Sequence, residues 1–197
     1  MNYKEALQHT VFTIISRSAR ELGLECYVIG GFVRDFILER GKPKDVDIVT
    51  VGSGIDLALN VSKALPNKPK VQVFKTYGTA MLRFEDLEVE FVGARKESYN
   101  ETSRNPVVEN GTLQDDQNRR DFTINALAIG LNSSEFGKLL DPFQGIEDMR
   151  LKTIRTPLDP DITYSDDPLR MMRAIRFATQ LNFQIESNSL DSKALTS

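Results

Sequence analysis

Two aspartates, Asp45 and Asp47, alternate with apolar residues in the run "DVDIV". Because the side chains of a strand alternate between its faces, both carboxylates are predicted on one face, with Val46 and Ile48 pointing to the core. Adjacent like charges repel each other unless a cation lies between them. Oxygen ligands suit Mg²⁺, which takes one or two carboxylates and completes its coordination with phosphate oxygens and water. The pair therefore predicts a Mg²⁺ site, although the same alternation also occurs on solvated edge strands.

A glycine turn precedes this strand. Gly30 and Gly31 allow the backbone to approach a ligand closely, and the helix predicted from Phe32 to Arg40 offers free N–H groups to phosphate. Arg34, in the first turn of that helix, supplies a cation for charge-assisted contacts. The order of turn, helix and carboxylate strand predicts a metal-bound polyphosphate across the turn. The spacing differs from that of a P-loop and from G-x-G-x-x-G.

A third carboxylate, Glu90, lies in the strand-like run "LEVEFV", on the opposite face from Leu87, Val89 and Phe91. If this strand neighbours the one that carries Asp47, Glu90 joins the acidic group near the metal. A solvated strand face explains Glu90 equally well.

The run "RRDFTIN" carries a second polar group, predicted in the first turns of a helix. Asp121 and Asn125 are four residues apart and share a helix face. Arg120 could contact phosphate, and Asp121 could accept a hydrogen bond from a ribose hydroxyl. Capping of the helix by Asp121 is the alternative.

A third group lies in "DDPLRMMRAIRF", where Pro168 fits the first turn of a helix. Asp167 and Arg170 are three residues apart and project away from the apolar side of that helix. Taken alone, they predict an exposed salt bridge worth a few tenths of a kcal/mol. Arg173, one turn further on, could reach phosphate or RNA, or belong to a solvated basic face.

The elements that must position these residues indicate an α+β fold. Strand-like runs dominate the middle of the chain, and helical periodicity dominates the end. We expect one α+β domain over residues 1–150 and the start of an all-α region over residues 151–197. Residues 95–118 are polar, and we expect them to lack regular secondary structure and to be either disordered or functional.

Composition narrows the class of function. The 197-residue chain has a net charge of −3, so binding of a polyanion must come from local arginine clusters. It holds one cysteine, Cys26, and one histidine, His9, which argues against Cys/His zinc sites and Ser-His-Asp chemistry. Cys26 is predicted to be buried and His9 to be solvated. Without a signal peptide or a long apolar run, we expect a cytoplasmic protein.

Three motifs in this order, "GGFVRDFIL…DVDIVT", "RRDFTINALAI" and "DDPLRMMRAIRF", resemble the class II tRNA nucleotidyltransferases. This family comprises the CCA-adding enzymes and the related bacterial poly(A) polymerases. The resemblance extends from about residue 24 to residue 186. It implies a polymerase-beta-type nucleotidyltransferase head with a mixed β-sheet flanked by helices, followed by a helical neck. The family's later regions carry much of the tRNA grip, so binding of tRNA is expected to need regions beyond this chain.

The resemblance also implies residue roles. Asp45 and Asp47 would bind two Mg²⁺ ions, and Glu90 would assist. The "RRDFTIN" motif would select ribonucleotides, and Asp167 and Arg170 would hydrogen-bond the base of incoming CTP or ATP. Family members usually show Glu-Asp-x-x-Arg, where this chain has Asp166 in place of the glutamate.

The predicted function is therefore transfer of CMP and AMP from CTP and ATP to the 3′ end of tRNA. Poly(A), A-only or CC-only addition are the nearest alternatives. The length of residues 95–118, which correspond to a flexible loop of the family, favours CCA or A addition. A non-catalytic module that binds RNA or nucleotides is the alternative from another class, and the retained Asp45 and Asp47 argue against it.

Overall fold

The computed structural model describes residues 2–41, 43–100 and 103–192. Eight α-helices are found in this part of the chain: α1 Thr10–Leu22, α2 Gly31–Ile37, α3 Gly54–Ala64, α4 Leu113–Asn118, α5 Gly145–Arg150, α6 Pro160–Asp166, α7 Leu169–Leu181 and α8 Ser187–Leu190. The strands are β1 Glu25–Ile29, β2 Asp45–Val51, β3 Gln72–Phe74, β4 Thr79–Phe84, β5 Leu87–Gly93, β6 Arg95–Asn100, β7 Ser103–Asn110, β8 Ala128–Gly130, β9 Leu139–Leu140, β10 Thr153–Ile154 and β11 Gln184–Ile185.

Seven strands form one sheet in the order β3-β4-β5-β2-β1-β8-β9. The central pair β2–β5 is parallel, and the other neighbouring strands are antiparallel. The predicted α+β class and mixed sheet are therefore confirmed. Strands β4 and β5 form a tight antiparallel hairpin.

The apolar face of the sheet determines where the polar face lies. Val46 and Ile48 of β2 and Val89 and Phe91 of β5 are fully buried against α1 and α3. Full burial of one such side chain contributes about 1.5–3 kcal/mol to stability, so burial strongly favours the orientation in which these apolar residues face the core. The intervening residues of these two strands must then project from the opposite face.

The N-terminal segment, whose residues 3–22 have a helix-like sequence, forms two separate elements. A short 3₁₀ turn, Lys4–Leu7, is separated from α1 by His9, which is the N-cap of α1. The Nδ1 atom of His9 accepts a hydrogen bond from the Val11 N–H at 3.2 Å, and its Nε2 lies 2.8 Å from Glu85. The prediction of a merely solvated His9 is therefore wrong, because helix starts favour a side-chain acceptor. Cys26 is buried as predicted, and burial raises the pKa of its thiol to about 12.

Residues 95–118 contain regular structure, contrary to the expectation. Strands β6 and β7 pair antiparallel, and α4 follows with a capping box between Thr112 and Asp115. Pairing of two strands in such a ribbon does not require apolar alternation, so the polar sequence of this segment resembles that of a loop. Residues 101–102 of this segment lie outside the described residues.

The "RRDFTIN" run also differs from its predicted helix. Only a 3₁₀ turn, Thr123–Asn125, forms before β8 begins. Asp121 precedes that turn and is not the N-cap of an α-helix, so the capping alternative is wrong.

The C-terminal helices pack on the same core as the sheet. Tyr164 of α6 and Phe177 of α7 are buried in the main apolar cluster, and the Phe177 ring lies edge-on to Phe122 at 5.8 Å. The division near residue 150 stays a prediction, and residues 193–197 of the predicted neck lie outside the described residues. Among the described helices, none is long and apolar enough to cross a membrane.

Candidate active site

One cavity of about 680 Å³ lies between the polar face of the sheet and α7. Eleven of the twelve predicted site residues line it: Gly30, Gly31, Arg34, Asp47, Glu90, Arg120, Asp121, Asn125, Asp167, Arg170 and Arg173. The twelfth, Asp45, is exposed at the start of β2, outside the lining. The lining holds six arginines and four carboxylates, so the cavity is locally basic in an acidic chain.

The acidic part of the cavity follows from the β2–β5 register. Asp47 pairs directly with Glu90 across the parallel strands, so both carboxylates project from the same face. Burial raises the pKa of Asp47, and the negative charge of Asp45 raises it further, while Arg120 opposes the shift. Burial and the charge of Asp47 likewise raise the pKa of Glu90. The sequence made the role of Glu90 conditional on these two strands being neighbours, and the structure meets that condition.

This donor set fits a divalent cation. Among the described residues, no salt bridge or hydrogen bond to the Asp47 carboxylate is found, and both raised pKa values report a cost of negative charge that a cation would remove. The predicted site rests on Asp45 and Asp47, with substrate oxygens completing the coordination. The one described group of three ligand-type residues whose ligand atoms all lie within 4.8 Å of one another is elsewhere, at His9, Glu85 and Asp86.

The turn at Gly30 requires glycine. Its φ of 80° and ψ of −135° are disfavoured for residues with a side chain. A Cβ atom there would lie 3.3 Å from Arg120 Nη1 and 3.6 Å from Asp47 Oδ2. The absence of a side chain at Gly30 thus leaves room above the backbone for the Arg120 guanidinium and the Asp47 carboxylate.

A buried carboxylate that sequence reasoning missed, Asp116, holds two arginines at the cavity wall. Its oxygens accept hydrogen bonds from Arg119 Nη2 at 2.6 Å and from Arg120 Nη2 at 2.9 Å. Burial alone would raise the pKa of Asp116, but the two guanidinium groups outweigh burial and lower it. The spacing i, i+3 and i, i+4 in "DDQNRR" is the signal that could have identified this cluster.

Asp121 is the centre of a second polar network. Its Oδ2 accepts from Arg173 Nε at 2.7 Å, and its Oδ1 accepts from Asn125 Nδ2 at 3.1 Å and from the Phe122 N–H at 2.9 Å. Asn125 in turn accepts from Arg34 Nη1 at 2.7 Å. The i, i+4 contact between Asp121 and Asn125 therefore forms without an α-helix.

Arg34 is more deeply placed than a simple phosphate ligand. It is buried, and its Nε and Nη2 atoms donate to both oxygens of Asp35 at 2.8 and 2.9 Å. Its guanidinium also lies 5.0 Å from the centre of the Phe177 ring, as does that of Arg176, and Arg173 lies at 5.4 Å. Phe177 thus gathers three cations at one wall. No role for this aromatic residue was predicted from the sequence.

Asp167 and Arg170 both line the cavity and are held by the backbone. Arg170 donates to the Thr163 carbonyl at 3.2 Å and to the Arg119 carbonyl at 2.8 Å, while Asp167 Oδ1 accepts from the Leu169 N–H at 3.0 Å. In the described part of the chain, no ion pair joins Asp167 to Arg170. The alternative of a salt bridge between Asp167 and Arg170 is therefore wrong.

The mixed sheet of this chain presents carboxylates to an arginine-lined cavity. This arrangement matches the head fold of the polymerase-beta-type nucleotidyltransferases. The chain belongs to the family of the poly A polymerase head domain, whose model matches residues 26–155.

Relatives and solved structures agree with this assignment. The A-adding tRNA nucleotidyltransferase of Aquifex aeolicus is 40% identical over 84% of this chain and 20% of its own length. The CCA-adding enzyme of Enterococcus faecalis is 39% identical over 89% of this chain and 41% of its own length. The chain therefore spans between a fifth and about two fifths of these relatives.

Two solved structures give the same result. A CCA-adding enzyme in apo form II superposes with a TM-score of 0.83 at 35% identity, over 92% of this chain and 42% of that chain. A tRNA nucleotidyltransferase complexed with a primer tRNA and an incoming ATP analog superposes with a TM-score of 0.79 at 37% identity, over 92% of this chain and 50% of that chain. The resemblance stated from the three motifs is confirmed.

Proposed function

We propose that this protein transfers CMP and AMP from CTP and ATP to the 3′ end of tRNA without a nucleic-acid template. The observation that carries the proposal is the cavity itself, where Asp47 and Glu90, whose pKa values are both raised by burial, face a wall of arginines. A triphosphate needs cations, and a metal-assisted reaction needs carboxylates. Relatives named as A-adding and CCA-adding enzymes support the same reaction. The proposal includes a cytoplasmic location, where tRNA and both nucleotides are available.

Asp45 and Asp47 are the residues that would hold Mg²⁺, with Glu90 beside them. Two bound ions would supply activation of the RNA 3′-hydroxyl and neutralisation of charge on the triphosphate. Glu90 and Asp47, aligned on neighbouring strands, orient the attacking hydroxyl against the nucleotide. Pyrophosphate is the leaving group.

The arginine wall binds the triphosphate. Asp116 fixes the planes of Arg119 and Arg120, so the remaining N–H groups of Arg120 can be directed to phosphate at little further cost in side-chain entropy. The N–H groups of the Gly30–Gly31 turn approach the same anion. Arg173 forms an ion pair with Asp121 and extends the basic surface along α7. Because Arg173 already contacts Asp121, its position limits how closely the ribose can approach that carboxylate.

Asp167 and Arg170 read the base. An acceptor and a fork of donors on one wall can meet the complementary edge of cytosine, and after a small rotation that of adenine. Hydrogen bonds to two backbone carbonyls hold Arg170 in one orientation. Such preorganisation lets the protein discriminate bases, because a wrong base leaves buried polar groups unpaired.

The test is incorporation of radiolabelled CMP and AMP into tRNA that lacks its CCA end, with Mg²⁺ and with EDTA. We expect incorporation with Mg²⁺ and none with EDTA. A tRNA that already ends in CCA is the matched control. Nucleotide binding without any incorporation, with Mg²⁺ present, would favour the non-catalytic binding module.

The same assay separates the enzymatic alternatives. Transfer of AMP only to a tRNA that ends in CC indicates an A-adding enzyme, and relatives of that name support this possibility. Long AMP tails on any RNA indicate a poly(A) polymerase. Transfer that stops after two CMP residues indicates CC addition.

A further inference from the structure

A basic and aromatic segment lies at the edge of the sheet next to the cavity. Residues 66–84 hold four basic side chains and no acidic one, in a chain of net charge −3. Within this segment the edge strand β3 is exposed along its whole length. The side chains of Phe74 and Tyr77 are 44% and 68% exposed. Two large aromatic rings in water beside lysines are an unusual use of surface.

The strand register joins this edge to the cavity. Phe74 pairs with Thr79, and Thr79 pairs with Val92, which lines the cavity. Residues directly opposite each other in antiparallel strands share a face, so Phe74 projects from the face that carries Glu90 and Asp47. Two strand spacings, about 10 Å, separate the Phe74 backbone from that of Val92. The edge is thus a continuation of the cavity floor.

Tyr77 and Arg95 extend the same surface. A 3₁₀ turn, Lys75–Tyr77, follows Phe74 directly, so Tyr77 lies three residues beyond the end of β3. Arg95 donates a hydrogen bond to the Tyr77 carbonyl, which fixes the turn. Burial raises the pKa of Glu90 in the cavity, and the positive charge of Arg95 partly opposes this rise, which places Arg95 near Glu90.

We propose that Phe74, Lys75, Tyr77 and Arg95, here called the aromatic edge, bind the single-stranded 3′ end of the RNA that the cavity extends. This inference rests on the proposed function, since it names where the RNA substrate runs. Exposed aromatic rings stack on bases of any sequence, and adjacent cations follow the backbone phosphates. Nucleotides upstream of the reacting hydroxyl need such a sequence-tolerant platform about 10 Å away.

The test measures affinity without chemistry. A fluorescent RNA hairpin with three unpaired nucleotides at its 3′ end is compared with the same hairpin with a blunt end. Fluorescence anisotropy is recorded in an Asp47→Asn background, so that turnover does not interfere. We expect Tyr77→Ala and Phe74→Ala each to weaken binding of the overhang hairpin about tenfold, or about 1.4 kcal/mol. The blunt hairpin should bind all variants alike.

Matched variants separate stacking from other effects. Tyr77→Phe keeps the ring and should bind as the parent does. Leu59→Ala removes an apolar side chain of similar exposure, 40%, from α3 and should change nothing. Lys75→Ala should reduce the slope of log affinity against log salt by about one, whereas Lys63→Ala in the last turn of α3 should not.

Several outcomes would overturn the proposal. These are equal affinity of Tyr77→Ala and parent for the overhang hairpin, equal loss on both hairpins, or parent binding that ignores the overhang. If Tyr77→Ala spares RNA affinity but abolishes self-association in sedimentation, the edge pairs with protein and the proposal is wrong. A parent protein that transfers no nucleotide yet binds the overhang through Tyr77 would contradict the proposed function alone.

Discussion

The two walls of the cavity treat buried carboxylates in opposite ways. On the wall that leads from α4 to α7, Asp116 and Asp121 each accept hydrogen bonds from arginine at 2.6–2.9 Å. On the sheet, Asp47 has no such partner among the described residues, and Glu90 lies beside Asp47 and has a hydrogen bond with the Thr79 side chain but none with an arginine that the described contacts show. Burial raises the pKa of Asp47, whereas two guanidinium groups lower the pKa of Asp116 despite its burial.

The difference separates carboxylates that hold other side chains in position from carboxylates that are available to bind a ligand. A buried charge with a partner stabilises the arrangement around it, and removal of the partner costs several kcal/mol. A buried charge without a partner reduces stability until a ligand compensates it. We therefore assign Asp116 and Asp121 to positioning, and Asp47 and Glu90 to binding. The predictions below test this division, beginning with the largest effect.

The unpaired wall gives the largest expected effect. Asp47→Asn should lower the rate of nucleotide transfer by roughly a thousandfold or more, because metal ligation contributes several kcal/mol to the transition state. Its melting temperature without divalent ions should rise, since the raised pKa shows that the charged form is disfavoured in the fold.

Steady-state kinetics and thermal melting with and without Mg²⁺ check both parts. Asp56→Asn, which changes an exposed carboxylate in the first turn of α3, is the control and should leave transfer intact. Near-parental transfer by Asp47→Asn would contradict the assignment.

The paired wall should respond with lost stability. Asp116→Asn removes the negative charge that Arg119 and Arg120 share, and we expect a loss of about 2–3 kcal/mol in the free energy of unfolding, since both arginines are partly solvated. The folded pKa of Asp116 lies below its ordinary value of 3.8. Its contribution is thus fully present above about pH 4 and is lost as the pH falls through the folded pKa.

Urea unfolding at pH 7 and pH 3 measures this effect. The difference between parent and Asp116→Asn should shrink at pH 3. A difference that is unchanged by pH would show that shape, not charge, determines the role of Asp116.

Sequence patterns predicted residues of both walls but missed two that hold the arginines in place. Asp47, Glu90 and the alternation around them follow from local periodicity, so the strands and their shared face were predictable. Asp116 was missed because it lies in residues 95–118, whose polar composition resembles a loop. Phe177 was missed because a helix with arginines on several sides gives no indication of which ring they approach. The pairing of β2 with β5, which creates the acidic face, depends on contacts distant in sequence, and the sequence offered it only as a condition.

An intermediate effect is expected for base selection. Arg170→Ala should reduce the preference for CTP over UTP about tenfold, because one bidentate contact discriminates by about 1–3 kcal/mol. Asp167→Ala should do the same, and the double variant should be little worse than either single one, since the pair acts as a unit.

Nucleotide competition assays measure the ratio. Arg150→Ala, which breaks the exposed pair with Glu147, is the control. An unaltered CTP/UTP ratio in Arg170→Ala would contradict the role in base selection and leave Arg170 as a link between α7 and the carbonyls of Thr163 and Arg119.

The smallest effect is expected for sugar selection. Both oxygens of Asp121 already accept hydrogen bonds from protein groups, so a ribose hydroxyl shares an oxygen with Arg173 or Asn125. Asp121→Asn should narrow the preference for ATP over dATP about fivefold, or about 1 kcal/mol. Single-turnover kinetics with both nucleotides measure this ratio. An unchanged preference with lower stability would assign Asp121 to anchoring Arg173 alone.

The parallel pairing of β2 with β5 also affects how the site comes into being. Antiparallel neighbours such as β4 and β5 can pair progressively, starting at the tight turn that joins them. Strands β2 and β5, in contrast, are separated by α3, β3 and β4 along the chain. Contacts so distant in sequence form slowly, because the intervening loop must close first. A slip of one residue would also turn Asp45 and Asp47 toward the apolar core and Val46 and Ile48 toward the cavity. Asp47 and Glu90 therefore meet only in chains that have completed this late, register-sensitive step, so catalytic competence should lag behind the gain of secondary structure during refolding.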